Sequence, residues 1–236
     1  MTTALVSGGK DSIASAQLAD EQGWPVDELL VLVPQDPDSF LFHTPNLELV
    51  EHQAEAWGKV ARSVPIDGAG EAVESEALRR ALRTGTGPIV TGAIASSYQW
   101  GRLQRLSFEL GRPLFAPLWG KDPGRVVRAE IASGLDIRLV QVAAEGLGEE
   151  LLGRRLDLTL LEQIEAAGRP TRWVHAAGEG GEYETLVVDA PFFRSRLVLE
   201  ETELERRGLA ARLVVRRCRL APKELGPPRS DGRQAP

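Results

Sequence analysis

The chain has 236 residues, 42% of them hydrophobic and 26% charged, with a net charge of −6. These values fit a folded globular protein of one compact unit or two modest ones. The single cysteine, Cys218, excludes an internal disulfide, no run reaches the roughly 18 to 20 apolar residues of a membrane span, and the negative balance argues against a broad grip on nucleic-acid phosphates.

Met1-Thr-Thr-Ala-Leu-Val runs straight into a strand without a basic, apolar leader, so a signal peptide is not expected and a cytoplasmic location is. Apolar, β-branched stretches at Ala4–Val6, Leu29–Val33, Val60–Ile66 and Ile89–Thr91 alternate with helical patterns at Asp11–Gln22, Leu47–Gly58 and Glu71–Leu82. This βαβ rhythm predicts a mostly parallel sheet with helices on both faces and ligands at the carboxyl ends of the strands. A helix is expected from Ser96 to Leu110, an extended stretch over Pro113–Leu118 and a helix over Arg125–Ala132. The rhythm then changes: strands are expected at Asp136–Val142 and Thr185–Val188, a helix at Leu156–Ala167, and a closing pair from Leu197–Glu200 with Ala210–Arg219. The expected division is an α/β domain over 1–133, a smaller α+β domain over 134–221, and a disordered tail over 222–236, where Pro, Gly and charge leave little to bury.

Between the first strand and first helix lies Ser7-Gly8-Gly9-Lys10-Asp11-Ser12. Gly8 and Gly9 allow close backbone approach to an anion, Ser7 and Ser12 supply hydroxyls, Lys10 adds a mobile charge, and the helix N-terminus favours negative groups. The bland alternative is a tight turn before a capped helix. Lys10 is followed by Asp11 rather than Ser or Thr, so this is not a Walker A loop. The segment resembles the SGGxDS signature of the PP-loop ATP pyrophosphatases, which transfer AMP from ATP to a substrate oxygen. That resemblance implies ATP as co-substrate and Asp11 as a residue that helps hold magnesium.

Three further segments extend the resemblance: Phe42-His43-Thr44-Pro45-Asn46, Thr91-Gly92-Ala93-Ile94-Ala95-Ser96-Ser97-Tyr98-Gln99, and Gly178-Glu179-Gly180-Gly181-Glu182-Tyr183-Glu184-Thr185. With Ala116-Pro117-Leu118-Trp119 between the last two, they are similar in order and spacing to the diphthine–ammonia ligase family, over roughly Leu5 to Phe193. The resemblance implies a Rossmann-like, HUP-type fold. It also implies amidation: a carboxylate, that of diphthine on elongation factor two, is adenylated by ATP and attacked by ammonia to give diphthamide.

His43 and Asn46 can position the nucleotide or the acyl group, or simply hold a turn. Gly92, Ser96, Tyr98 and Gln99 can meet the nucleotide, or form an ordinary capped helix start. Glu179, Glu182 and Glu184 flank exposed glycines, and such carboxylate density is costly without a cation. Glu179 and Glu182 can bind magnesium, take a proton from ammonium or meet a cationic substrate, with Tyr183 or a nearby Trp offering a cation–π face to a trimethylammonium group. His175 reads as structural more readily than as functional. The catalytic set expected here is Asp11, Glu179 and Glu182. Ser7, Gly8, Gly9, Lys10, Asp11, Ser12, Gly92, Ser96, Tyr98, Gln99 and Arg102 are expected on ATP, and His43, Asn46, Gly180, Gly181, Tyr183 and Glu184 on the substrate.

Two departures from the family pattern are visible. Trp100-Gly101 stand where basic residues are usual, which leaves Arg102 as the phosphate contact, and Leu151 stands where an aromatic is expected in Gly146–Arg154. A tRNA thiolase would need relay cysteines, and a glutamine-dependent amidotransferase would need a glutaminase nucleophile; one cysteine serves neither, so free ammonium is the expected nitrogen source. The same chemistry on a small carboxylate and a non-catalytic nucleotide sensor are the competing readings.

Overall fold

The computed structural model describes residues 1–34, 46–68, 70–167 and 174–223. The first half builds β1 (Thr2–Leu5), α1 (Lys10–Glu21), β2 (Val26–Pro34), α2 (Val50–Trp57), β3 (Val60–Ile66), α3 (Glu71–Leu82), β4 (Ile89–Val90), α4 (Ser97–Leu110) and β5 (Leu114–Phe115). Its five strands are all parallel, in the order β3-β2-β1-β4-β5. Burial on both faces explains the continuous apolar run of β2. Leu29 and Val31 join one core, while Leu30 and Leu32 face the other, packing with Leu78 and Leu82 of α3 and Leu103 and Leu106 of α4.

The second half follows α5 (Pro123–Ala132) with β6 (Asp136–Val142), α6 (Leu158–Ala167), β7 (Tyr183–Asp189), β8 (Ser195–Arg207) and β9 (Ala210–Pro222). Here the sheet is antiparallel, in the order β7-β6-β9-β8. The protein is therefore a Rossmann-like α/β fold joined to a smaller α+β unit. One continuous core runs from α1, α2 and β2 through α5 and α6 to β6 and β7, so the two sheets share their packing.

Local chemistry sets the helix ends. Asp122 caps α5 by accepting from Arg125 N–H at 2.8 Å, with Pro123 entering the first turn. Gly58 closes α2 at φ 77°, a conformation that costs a Cβ-bearing residue about 1 kcal/mol.

Several boundaries differ from expectation. Leu47–Leu49 form a 3-10 turn before α2 rather than its first turn. Only Leu114 and Phe115 of the expected extended stretch pair in the sheet. Asp157 accepts from Leu160 N–H, so α6 starts at Leu158 rather than Leu156. β8 and β9 run 13 residues each, where four (Leu197–Glu200) and ten (Ala210–Arg219) are expected; the added outer part of the hairpin carries exposed cross-strand ion pairs such as Arg216 with Glu203 and Arg217 with Glu201. Pro222, assigned to the tail, ends β9; the rest of that tail beyond Lys223 lies outside the described residues.

Candidate active site

Between the carboxyl ends of β1 and β4 and the turn before β7 lies a cleft of about 440 Å³. Ser7, Gly9, Lys10, Asp11 and Ser12 form one wall, Gly92, Ser96, Tyr98, Gln99 and Arg102 a second, and Glu179, Gly180, Gly181, Tyr183 and Glu184 a third. Sequence-distant motifs are thus gathered in one cavity at the rim where parallel sheets place ligands. His43 lies outside the described residues.

The turn after β1 is organised from within and from across the cleft. Ser12 Oγ accepts from Ser7 N–H at 3.2 Å and donates to the Gly9 carbonyl at 3.0 Å. Gly8, at φ 80°, presents its carbonyl to two donors: Gln53 Nε2 of α2 at 2.9 Å and Val187 N–H of β7 at 3.0 Å. Lys10 N–H donates to Thr185 Oγ1 at 3.2 Å. The two strand ends facing the cleft are therefore stitched together by the turn itself.

Lys10 departs from the mobile phosphate contact expected of it. Its side chain is 2% exposed, and its ammonium donates to Asp11 Oδ2 at 2.8 Å and to the Ala177 carbonyl at 2.7 Å. Burial opposes its charge, but Asp11 leads the groups that outweigh burial and hold it above the ordinary lysine value. The ammonium also lies 5.5 Å over the Tyr183 ring. That ring is buried, its hydroxyl donates to the Ala176 carbonyl at 2.5 Å, and burial pushes its own titration upward. Tyr183 therefore turns a ring face to Lys10, the cation it meets among the described residues. Trp100 and Trp119 stack on each other at 4.5 Å and 9° beyond the start of α4.

The acidic loop is equally committed. Glu179 accepts from Ile94 N–H and Ala95 N–H, both at 2.8 Å, which ties it across the cleft to the loop after β4. Glu182 Oε1 accepts from His175 N–H at 2.9 Å, and His175 Nδ1 accepts from Ala177 and Glu179 N–H, the structural part expected for that histidine. Two of the three loop carboxylates thus serve as braces. Glu184, half-buried at the start of β7, has its titration pushed up to about 7, chiefly by burial, with Lys10 opposing and Asp11 adding to the rise. Gly180 leaves room for Glu182, since a Cβ there would fall 2.6 Å from its Oε1, and Gly181 turns at φ 81°.

On the second wall Ser96 caps α4 through Gln99 N–H at 3.4 Å, as the capped-helix alternative described. Gly92 is needed for packing: a Cβ there would stand 2.7 Å from Asp11 C and Ser12 N. Arg102, read as a phosphate contact, lines the cleft and donates to Tyr98 Oη, the Glu71 carbonyl and Ser75 Oγ. Asn46 is not among the residues that line the cleft. It is buried at φ 67°, donates to the Leu213 carbonyl at 2.9 Å and accepts from Val215 N–H at 2.7 Å, pinning the start of α2 to β9.

Two buried residues escaped the sequence reading. Gln53 lies on the apolar stripe of α2 with Val50, Ala54 and Trp57. Glu130 sits on the buried stripe of α5 with Val126 and Val127, behind Asp11. Burial first, and Asp11 second, push its titration well above the ordinary carboxylate value. A polar residue at i+3 or i+4 on an otherwise apolar face was the available signal.

Fold and cleft define a Rossmann-like α/β protein whose first β–α turn opens onto a polar cavity closed by a second sheet. The family model described as diphthamide synthase N-terminal domain matches residues 1–113, and that of the C-terminal domain matches 122–220. The chain is 32% identical to the diphthine–ammonia ligase of Danio rerio over 224 residues, 84% of this chain and 86% of that one. It is 29% identical to the Homo sapiens enzyme of the same name, over 85% of this chain and 83% of that one. The Schizosaccharomyces pombe enzyme of that name is 32% identical over 85% of this chain, which spans only 36% of that longer relative. The chain belongs to the diphthine–ammonia ligase family, a family of ligases.

Proposed function

We propose that the protein is an ATP-dependent carboxylate–ammonia ligase that adenylates the diphthine carboxylate of elongation factor two and amidates it with ammonium, in the cytoplasm. The observation that carries this reading is the stitching of the first turn to the second sheet, through Lys10 N–H to Thr185 Oγ1 and Val187 N–H to the Gly8 carbonyl. A nucleotide seated on the turn then lies beside the acidic loop, where acyl group and nitrogen nucleophile must meet it.

A helix N-terminus and two adjacent glycines favour the ATP phosphates. The residues also fit one magnesium ion: Asp11 lines the cleft with its side chain 25% exposed, Oδ2 pairing with Lys10 and the carboxylate backed by a hydrogen bond from the buried Glu130 carboxyl. Magnesium usually takes one or two carboxylates together with substrate phosphates. Asp11 would hold it, and the ion supplies charge neutralisation at the departing pyrophosphate. Among the described residues no helix is long and apolar enough to cross a membrane.

Purified protein should release pyrophosphate and AMP from ATP when given ammonium and diphthine-bearing elongation factor two. Release with a small carboxylate alone would replace the protein substrate; no release with either would leave a nucleotide-binding protein.

A further inference from the structure

The loop carries three carboxylates, yet they are not equivalent. Glu179 is spent on two backbone N–H groups; Glu182 Oε1 is spent on a third, while its Oε2 is buried and Glu182 does not line the cleft. Glu184 lines the same cleft, half-buried, and among the described residues accepts no hydrogen bond and joins no ion pair. Its strand register places it opposite Gln141 of β6, whose Oε1 is in turn held by Arg212 of β9 at 2.6 Å. The charged groups facing Glu184 are Lys10 and Asp11 from α1, Arg212 from β9 and Glu182 from the preceding loop.

Ammonium has no lone pair, so amidation by free ammonium needs a base within reach of the acyl group. An effective base is uncommitted, faces the cleft and titrates near the working pH. Asp11 is paired with Lys10 and is the residue assigned to magnesium above, and Glu130 is buried behind it. By elimination among the acidic residues around the cleft, we propose that Glu184 is the ammonium site and general base of the amidation step. This rests on the amidation reading above.

Glu184 takes one proton from ammonium, and the electron pair of the broken N–H bond stays on nitrogen. That lone pair forms the C–N bond at the acyl carbon while the C–O bond to AMP breaks, AMP leaving with the bonding pair. The new amide nitrogen loses its second proton to solvent, and Glu184 then returns its own.

The test compares the parent full-length chain with Glu184→Gln, supplied with ATP, diphthine-bearing elongation factor two, and either ammonium chloride or hydroxylamine. Hydroxylamine is largely neutral near pH 7 and attacks without prior deprotonation. Loss of the base should lower ammonium-dependent amide formation about a hundredfold, while hydroxamate formation stays close to that of the parent chain. The amide defect should shrink as pH rises and solution supplies ammonia directly.

Loss of both products would overturn the proposal, placing Glu184 in adenylation or in holding the substrate's cationic group. Retention of both would overturn it as well. If the parent chain forms neither product, the amidation reading fails first and takes this proposal with it.

Discussion

Gln53 Nε2, on a fully buried side chain of α2, donates to the Gly8 carbonyl at 2.9 Å and also reaches the Val187 carbonyl at 2.7 Å. One amide thus fixes the turn after β1 and the second sheet to the same helix. Gln53→Leu removes one donor from each of two buried carbonyls, of which that of Gly8 keeps Val187 N–H, at about 0.5–1.5 kcal/mol for each bond lost. Urea unfolding should show that loss, and a variant as stable as the parent would mean that Val187 N–H alone holds the turn.

Gly92 meets the start of α1 so closely that a methyl group would stand 2.7 Å from backbone atoms of Asp11 and Ser12. Backbone cannot rotate aside as a flexible side chain can. Gly92→Ala should therefore destabilise the fold by about 1–3 kcal/mol, read as a lower urea midpoint. A midpoint equal to the parent's would show that the loop after β4 can withdraw from α1.

Asn46 joins α2 to β9 by two hydrogen bonds from a left-handed backbone conformation that asparagine tolerates better than most residues. Asn46→Ala should cost about 1–3 kcal/mol of stability, with the KM for ATP changed by less than about twofold. A large rise in KM without loss of stability would restore the binding role that the structure takes from it.

Glu184 also couples stability to pH. Burial raises its folded value from 4.5 to about 7, so the folded state holds the proton more tightly than the unfolded one. Its contribution is fully present below about 4.5 and is lost as pH rises through about 7. Glu184→Gln cannot ionise, so its stability relative to the parent should increase across that window. A constant difference between the two from pH 4.5 to 7 would mean that Glu184 titrates alike in both states.

Residue periodicity, a local property, was enough to set the elements and their class. The apolar run of β2 declared a strand buried on both faces, the three-to-four spacing of α2 and α3 declared their buried stripes, and Gly8-Gly9 before Lys10 marked the turn between β1 and α1. That turn, the segment after β4 and the acidic loop, each carrying a motif, line the cleft, whereas Asn46 does not. Only the tertiary structure decided what each side chain does there. Lys10, Arg102, Asn46 and Tyr183 carry the residue types of ligand contacts, yet each finds its partner in a segment remote in sequence: Ala177, Glu71, Leu213 and, for the Tyr183 ring, Lys10. Hydrogen-bonding capacity is written in the residue, but its partner is chosen by packing between distant segments. For the same reason Glu179, Glu182 and Glu184, three like carboxylates within six residues of chain, became two braces and one uncommitted acid.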